Sequence, residues 1–200
     1  KEGEIWKCPN IAHCPAQKEG RIEQWCSKDG MDIAQLGPEM IHDLVEKKLV
    51  NDPLDLYVIA RDYTPQSLVD VLGIGYGLKK VKKFIENVNA SKTRTFDKVL
   101  YSLCISGIGK QNAKMIAEKF RSYQNLRNAT KEQLIELDGI GEVLANSIIE
   151  WFNDNDSDGW YLNGLKEHGL SMEMNVSQSV AQNEQILSGL NIVFSGKSGH

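Results

Sequence analysis

An all-α fold, made of about four tandem units in which two helices are joined by a glycine hairpin, is predicted by three observations. One short word, Gly-Ile-Gly, stands at 73–75, 107–109 and 139–141, with a fainter copy at Gln35-Leu36-Gly37. Each copy follows an apolar segment and precedes one whose apolar residues recur at helical spacing. No strand-like run occurs before residue 190.

Taken in order, 1–24 opens with a polar loop holding Cys8 and Cys14, each followed by proline. Such a pair resembles one half of a four-cysteine zinc site, which needs four ligands to close. The other two cysteines read differently: Cys26 ends an apolar helix beginning near Ile22, and Cys104 lies on the apolar face before the third hairpin, so both are expected to pack as small hydrophobes. His13 beside Cys14 reads as a surface side chain. The first repeat follows, with Pro38 suited to the first position of a helix and Met40, Ile41, Leu44 and Val45 forming its apolar stripe. Asp52-Pro53 and Thr64-Pro65 give two further starts, each an N-cap followed by proline.

The second repeat uses Leu68, Val69, Val71 and Leu72 before its hairpin, then Leu78, Val81, Ile85 and Val88 after it. The third uses Phe96, Val99, Leu100 and Leu103, then Ala113, Ile116, Ala117 and Phe120. Thr130-Lys-Glu-Gln133 is a capping box that opens the fourth, which runs through Leu134, Ile135 and Leu137 and on to Val143, Leu144, Ile148, Ile149 and Phe152. All these stripes are expected in the core. An acidic loop at Asp154, Asp156 and Asp158 reads as the cap of a short helix from Trp160 to His168, which Gly169 stops. Residues 171–186 read as a linker, and 187–200 as a turn and the first strand of a further domain, so the chain is expected to be an excised fragment.

The repeated word has a physical meaning. Glycine permits positive φ and removes the Cβ from the path of an approaching ligand. The residue between the glycines plugs the gap between its two helices. What stays outside is a nest of backbone N–H groups at a helix N-terminus, where the dipole adds positive charge. Such a nest suits a phosphate. The candidate backbone-binding residues are therefore Gly37, Gly73, Gly75, Gly107, Gly109, Gly139 and Gly141, supported by Lys79, Lys80, Lys110 and Lys114. Hairpins spaced along one face could hold successive phosphates of a nucleic acid without reading its sequence.

Charge tempers that reading. The chain has a net charge of −4, whereas a general nucleic-acid coat is basic. Lysines nevertheless gather after the second and third hairpins, and a local basic strip is enough for phosphate contact. Solvated faces of amphipathic helices would explain the same lysines. No apolar run approaches the length of a membrane span and no signal peptide opens the chain, so a cytoplasmic setting without a membrane partner is expected. No nucleophile–base pair, Walker loop or histidine cluster is present, and no catalytic residue is assigned.

With these pieces in order, the sequence resembles the C-terminal half of the bacterial NAD-dependent DNA ligases. The resemblance rests on Cys8-Pro-Asn, Cys14-Pro-Ala-Gln17, Met31-Asp32-Ile33 with Leu36-Gly37, and Asp52-Pro53-Leu54-Asp55-Leu56-Tyr57. It continues through the three Gly-Ile-Gly hairpins and ends on Leu187-Ser-Gly-Leu and Val193-Phe194-Ser195-Gly196. It implies a partial zinc-finger segment at 1–26, a helix-hairpin-helix DNA-binding domain at 27–170, the linker at 171–186 and the opening of a BRCT domain at 187–200. Cys8 and Cys14 match the second pair of the family's zinc ligands, the first pair lying upstream. The implied function is to clamp nicked double-stranded DNA, without sequence preference, for an enzyme that seals nicks in replication and repair. NAD and magnesium would serve domains outside this chain, where the reactive lysine stands in a Lys-x-Asp-Gly motif. Lys28-Asp29-Gly30 is a near miss at the wrong spacing and reads as a turn. A junction-binding or nuclease hairpin domain, and a helical protein-interaction module, are the alternatives; the oligomeric state is not legible.

Overall fold

A computed structural model describes residues 15–73 and 75–174. The expectations for Cys8, Cys14, Ile74, most of the linker and the strand at 187–200 lie outside these residues.

Eleven helices follow one another among the described residues: α1 Pro15–Cys26, α2 Pro38–Glu46, α3 Pro53–Asp62, α4 Pro65–Leu72, α5 Leu78–Ser91, α6 Phe96–Ser102, α7 Lys110–Phe120, α8 Tyr123–Arg127, α9 Lys131–Ile135, α10 Glu142–Asn155 and α11 Trp160–Glu167. There is no strand among them, only an isolated antiparallel bridge between Ser122 and Glu173. None of these helices is long and apolar enough to cross a membrane.

Local chemistry sets the boundaries. Pro38, Pro53 and Pro65 each occupy the first helical position, where a missing N–H costs nothing. Asp52 caps α3 and Asp55 reaches back to its N–H, a full capping box. Thr130 and Gln133 form the second box, as their spacing predicts.

Packing pairs the helices as α1 with α2, α4 with α5, α6 with α7 and α9 with α10. Each pair is two helices packed across an intervening bend. The helices between pairs then join them: α3 rests on α1, α5 and α11, α6 on α1, and α8 on α7. One continuous core results, centred on the fully buried Trp25, Tyr57, Phe84 and Phe96. A buried polar chain crosses it. The Trp25 indole donates to the Tyr57 hydroxyl at 3.1 Å, which lies 3.1 Å from the Ser91 hydroxyl, and Ser91 donates to the Val88 carbonyl at 2.8 Å. Three helices are thereby fixed in register, because an unmatched polar group at this depth is costly.

Four apolar residues expected in the core are instead exposed: Val71, Leu78, Ile135 and Val143, the last at 79%. Each sits within two residues of the helix end that adjoins its hairpin. Cys104 departs likewise. It adopts positive φ two residues past the end of α6 and is exposed rather than packed in the core as expected. Cys26 is buried as expected, and burial pushes its thiol up to about 12. Residues 171–174, read from sequence as linker, belong to the packed body: Met172 is buried, its carbonyl accepts from Tyr123 N–H at 3.2 Å, and Met174 N–H donates to Arg121 at 2.7 Å.

Candidate nucleic-acid interface

The N-termini of α2 to α11 fall into two groups, apart from α6, which begins on Thr95 with no side-chain cap. Helices α3, α4, α8 and α9 begin on Asp52, Thr64, Ser122 and Thr130, whose side chains accept first-turn N–H groups. In α11 the carboxylates of Asp158 and Asp156 take the N–H groups of Trp160 and Leu162, each at 3.1 Å, so the acidic loop caps a helix as its sequence predicts. By contrast, α2, α5, α7 and α10 begin on Gly37, Gly77, Gly109 and Gly141, with no side-chain acceptor at all. These four are the second helices of the four pairs. No side chain takes their first-turn N–H groups, which stand at the positive end of the helix dipole, an arrangement that binds anions.

Each bare terminus is built in the same way. The residue two before the capping glycine has positive φ: 71° at Gln35, 125° at Gly75, 78° at Gly107 and 79° at Gly139. The residue between is a buried plug, namely Leu36, Tyr76, Ile108 and Ile140. In three hairpins the plug N–H donates to the carbonyl three residues earlier: Ile108 to Ile105 and Ile140 to Leu137 at 3.0 Å, Tyr76 to Gly73 at 3.5 Å. The capping glycines themselves are extended, with φ of −84°, −76°, −87° and −88°, and open space lies where a Cβ would point. The bends are thus exposed and their plugs buried, as an anion site requires.

The second hairpin corrects the sequence reading. Its working word is Gly75-Tyr76-Gly77, not Gly73-Ile74-Gly75: Gly73 is the C-cap of α4, with φ 91° and its N–H on the Val69 carbonyl at 2.8 Å. Gly77 was missed. A signal existed, since each capping glycine precedes by four an apolar residue that its helix buries, Ile41, Val81, Ala113 and Ala145. Only Gly77 satisfies that spacing for α5. Tyr76 fills the place of isoleucine because its hydroxyl reaches across to the Asp43 carboxylate on α2. Burial first, and then Asp43, hold that phenol far above its ordinary pKa. The bond couples the second hairpin to the first unit. Gly107, packed on the Leu144 side chain of α10, couples the third hairpin to the fourth unit.

Charge differs from one hairpin to the next. At the second, Lys79 is exposed and unpaired among the described residues, Lys82 likewise, and the Lys80 ammonium lies 5.1 Å from the Tyr76 ring centroid. At the third, Lys110 is held by Asp29, which raises the lysine's pKa and lowers the carboxyl's, while Lys114 lies 3.9 Å from Glu118. The fourth is acidic: Glu136, Asp138 and Glu142 surround it, with Lys119 and Lys131 paired to Glu136 and Glu142 at 3.8 and 3.2 Å. Lys28-Asp29-Gly30 is a turn, Gly30 N–H donating to the Ser27 carbonyl at 3.0 Å. The described residues hold no group of three or more metal-ligating side chains.

The helix-hairpin-helix motif family matches residues 98–159, the stretch carrying the third and fourth hairpins. A DNA ligase of Halothermothrix orenii is 35% identical over 198 residues, covering 98% of this chain and 28% of that protein. One of Aquifex aeolicus is 37% identical, covering 95% and 25%, and one of Parabacteroides distasonis 34%, covering 94% and 27%. The chain therefore spans little more than a quarter of the length of these curated relatives.

Proposed function

From the premise that this chain belongs to the DNA ligase family, of whose members it spans a C-terminal portion, we propose that it grips the backbone of double-stranded DNA for a nick-sealing enzyme. The observation that carries the proposal is the set of four uncapped helix N-termini on Gly37, Gly77, Gly109 and Gly141, one per helical pair. Backbone N–H groups read no bases, so the grip is sequence-independent. The second and third hairpins carry most of it, since lysines flank them. The acidic fourth hairpin contributes least.

The rest of the reading follows the family resemblance. NAD would supply the adenylyl group and magnesium the charge compensation in domains other than this one. Cys8 and Cys14 would furnish two thiolates of a four-cysteine zinc site completed by a pair from elsewhere in the protein. The segments 1–26, 27–170, 171–186 and 187–200 are assigned as zinc finger, hairpin domain, linker and BRCT opening, with the hairpin body extended to Met174. A nick is the favoured interruption, the parent enzyme acts in cytoplasmic replication and repair, and the chain itself performs no adenylation.

The test exploits the capping glycines. Replacing Gly77 or Gly109 by serine places a hydroxyl where it accepts the same N–H groups a phosphate would take. The helix then gains a few tenths of a kcal/mol in stability, while affinity for a duplex at low salt falls about tenfold, equivalent to roughly 1.4 kcal/mol. Gly141→Ser has a smaller effect. Fluorescence anisotropy with labelled duplex measures the affinity and thermal melting the fold; unchanged affinity in both G77S and G109S overturns the proposal.

A further inference from the structure

A cavity of about 300 Å³ lies where α1, α3, α6, α10 and α11 meet, and none of the four capping glycines lines it. Arg21 is among its lining residues, and the Arg21 Nε is buried without a hydrogen-bond partner. An uncompensated buried donor of this kind signals a missing acceptor. Aromatic rings form one wall: Trp151 and Tyr161 meet at 6.3 Å between centroids, and Tyr161 and Trp160 at 6.4 Å. Trp160 stands at the rim with 65% of its surface exposed, although its backbone is fixed by the Asp158 cap.

Acceptors complete the lining. Asp154 has no partner among the described residues, and Asn155 donates through Nδ2 to the Trp151 carbonyl at 3.0 Å, leaving its side-chain oxygen free. Asp52 is already engaged by Leu54 N–H and faces Tyr161, whose phenol is raised by burial and then by that carboxylate. Two carboxylates against one guanidinium disfavour a phosphate or any dianion. An acceptor for Arg21, an amino donor for Asp154 and Asn155, and a flat face for the tryptophans are what the cavity asks for.

We propose that this cavity binds a neutral amino-bearing heteroaromatic ring of the adenine or cytosine class, its acceptor edge on Arg21, its amino group on Asp154 and Asn155, and its face against Trp160. The ring could arrive as a free nucleoside or as an extrahelical base of a strand. Neither source depends on the hairpins, so the inference stands apart from the duplex grip.

Tryptophan fluorescence of the whole chain, titrated with adenosine, cytidine and uridine, tests it. Saturable quenching by adenosine or cytidine is expected, with uridine, which lacks the amino group, about tenfold weaker. Both Arg21→Met and Trp160→Ala abolish saturation; Trp160 is a surface residue, so W160A keeps its helical circular dichroism and remains informative if R21M fails to fold. A second arm compares a duplex carrying one unpaired adenine with its fully paired counterpart. Quenching by the unpaired base but not by nucleosides assigns the ligand to a strand and supports the site. The proposal is overturned if no ligand gives saturable quenching, if uridine matches adenosine, or if W160A binds as the unaltered chain does. Gel shifts of the paired duplex by W160A report the hairpin grip separately and should be unchanged.

Discussion

At the scale of single residues, glycines that look alike in the sequence carry different burdens. Gly109 is extended and faces open space, whereas Gly107 has φ 78° and packs on Leu144. Gly107→Val therefore forces a β-branched residue into left-handed backbone and against a neighbouring side chain, and is expected to lower stability by about 1–3 kcal/mol. Urea unfolding measures this. The equivalent change at Gly109 leaves the fold intact. Asp29 is the second residue with a specific consequence. It neutralises Lys110 at the first position of α7, where a phosphate would approach. Asp29→Asn frees that lysine and removes a like charge from the phosphate's path, so duplex affinity at low salt should rise several-fold in anisotropy, and a fall would show that the pair orders the hairpin.

At the scale of elements, caps decide where helices start and what their ends can do. Asp52 caps α3 while largely buried, and burial raises its carboxyl above the ordinary value. The sign follows. A raised folded pKa means the folded state holds the proton more tightly, so the charged carboxyl weighs against folding above that pKa and the penalty disappears as pH falls below it. Asp52→Asn keeps the cap without the charge. It should match or exceed the original stability at neutral pH, with the difference shrinking on acidification, whereas Asp52→Ala loses the cap and about 1 kcal/mol. Melting curves of the three proteins across mildly acidic pH distinguish the cases. The exposed Leu78 and Val143 also belong to this scale. Helical spacing marks a stripe but not how far along it the packing extends, and both residues stand on the first turn of their helices.

At the scale of the molecule, the four pairs share one core, tied by the Trp25–Tyr57–Ser91 chain and by the Tyr76–Asp43 and Gly107–Leu144 contacts between neighbouring units. Hairpins set on one rigid body bind as a group, and their lysines release counterions together. Duplex affinity should then fall steeply with salt, and Lys79→Ala should weaken binding to all sequences alike while reducing the log–log salt slope by about 1. A flat salt response contradicts the backbone-gripping mode.

The sequence by itself determined the helical class and most helix starts, because spacing, proline at the first turn and capping side chains act over a few residues. At Gly109 and Gly141 the repeated word and the helix start coincide. Only the tertiary structure decided that Gly77, not Gly73, serves the second hairpin, for Tyr76 becomes the plug through a carboxylate on α2, far away in the chain. It also decided which lysines are free, that Cys104 is exposed, and that a guanidinium from α1, a tryptophan and an aspartate from α10 and a tryptophan from α11 share a cavity. Local rules fix how each helix begins; what its surface meets depends on where its neighbours stop, and no stretch of chain carries that information alone.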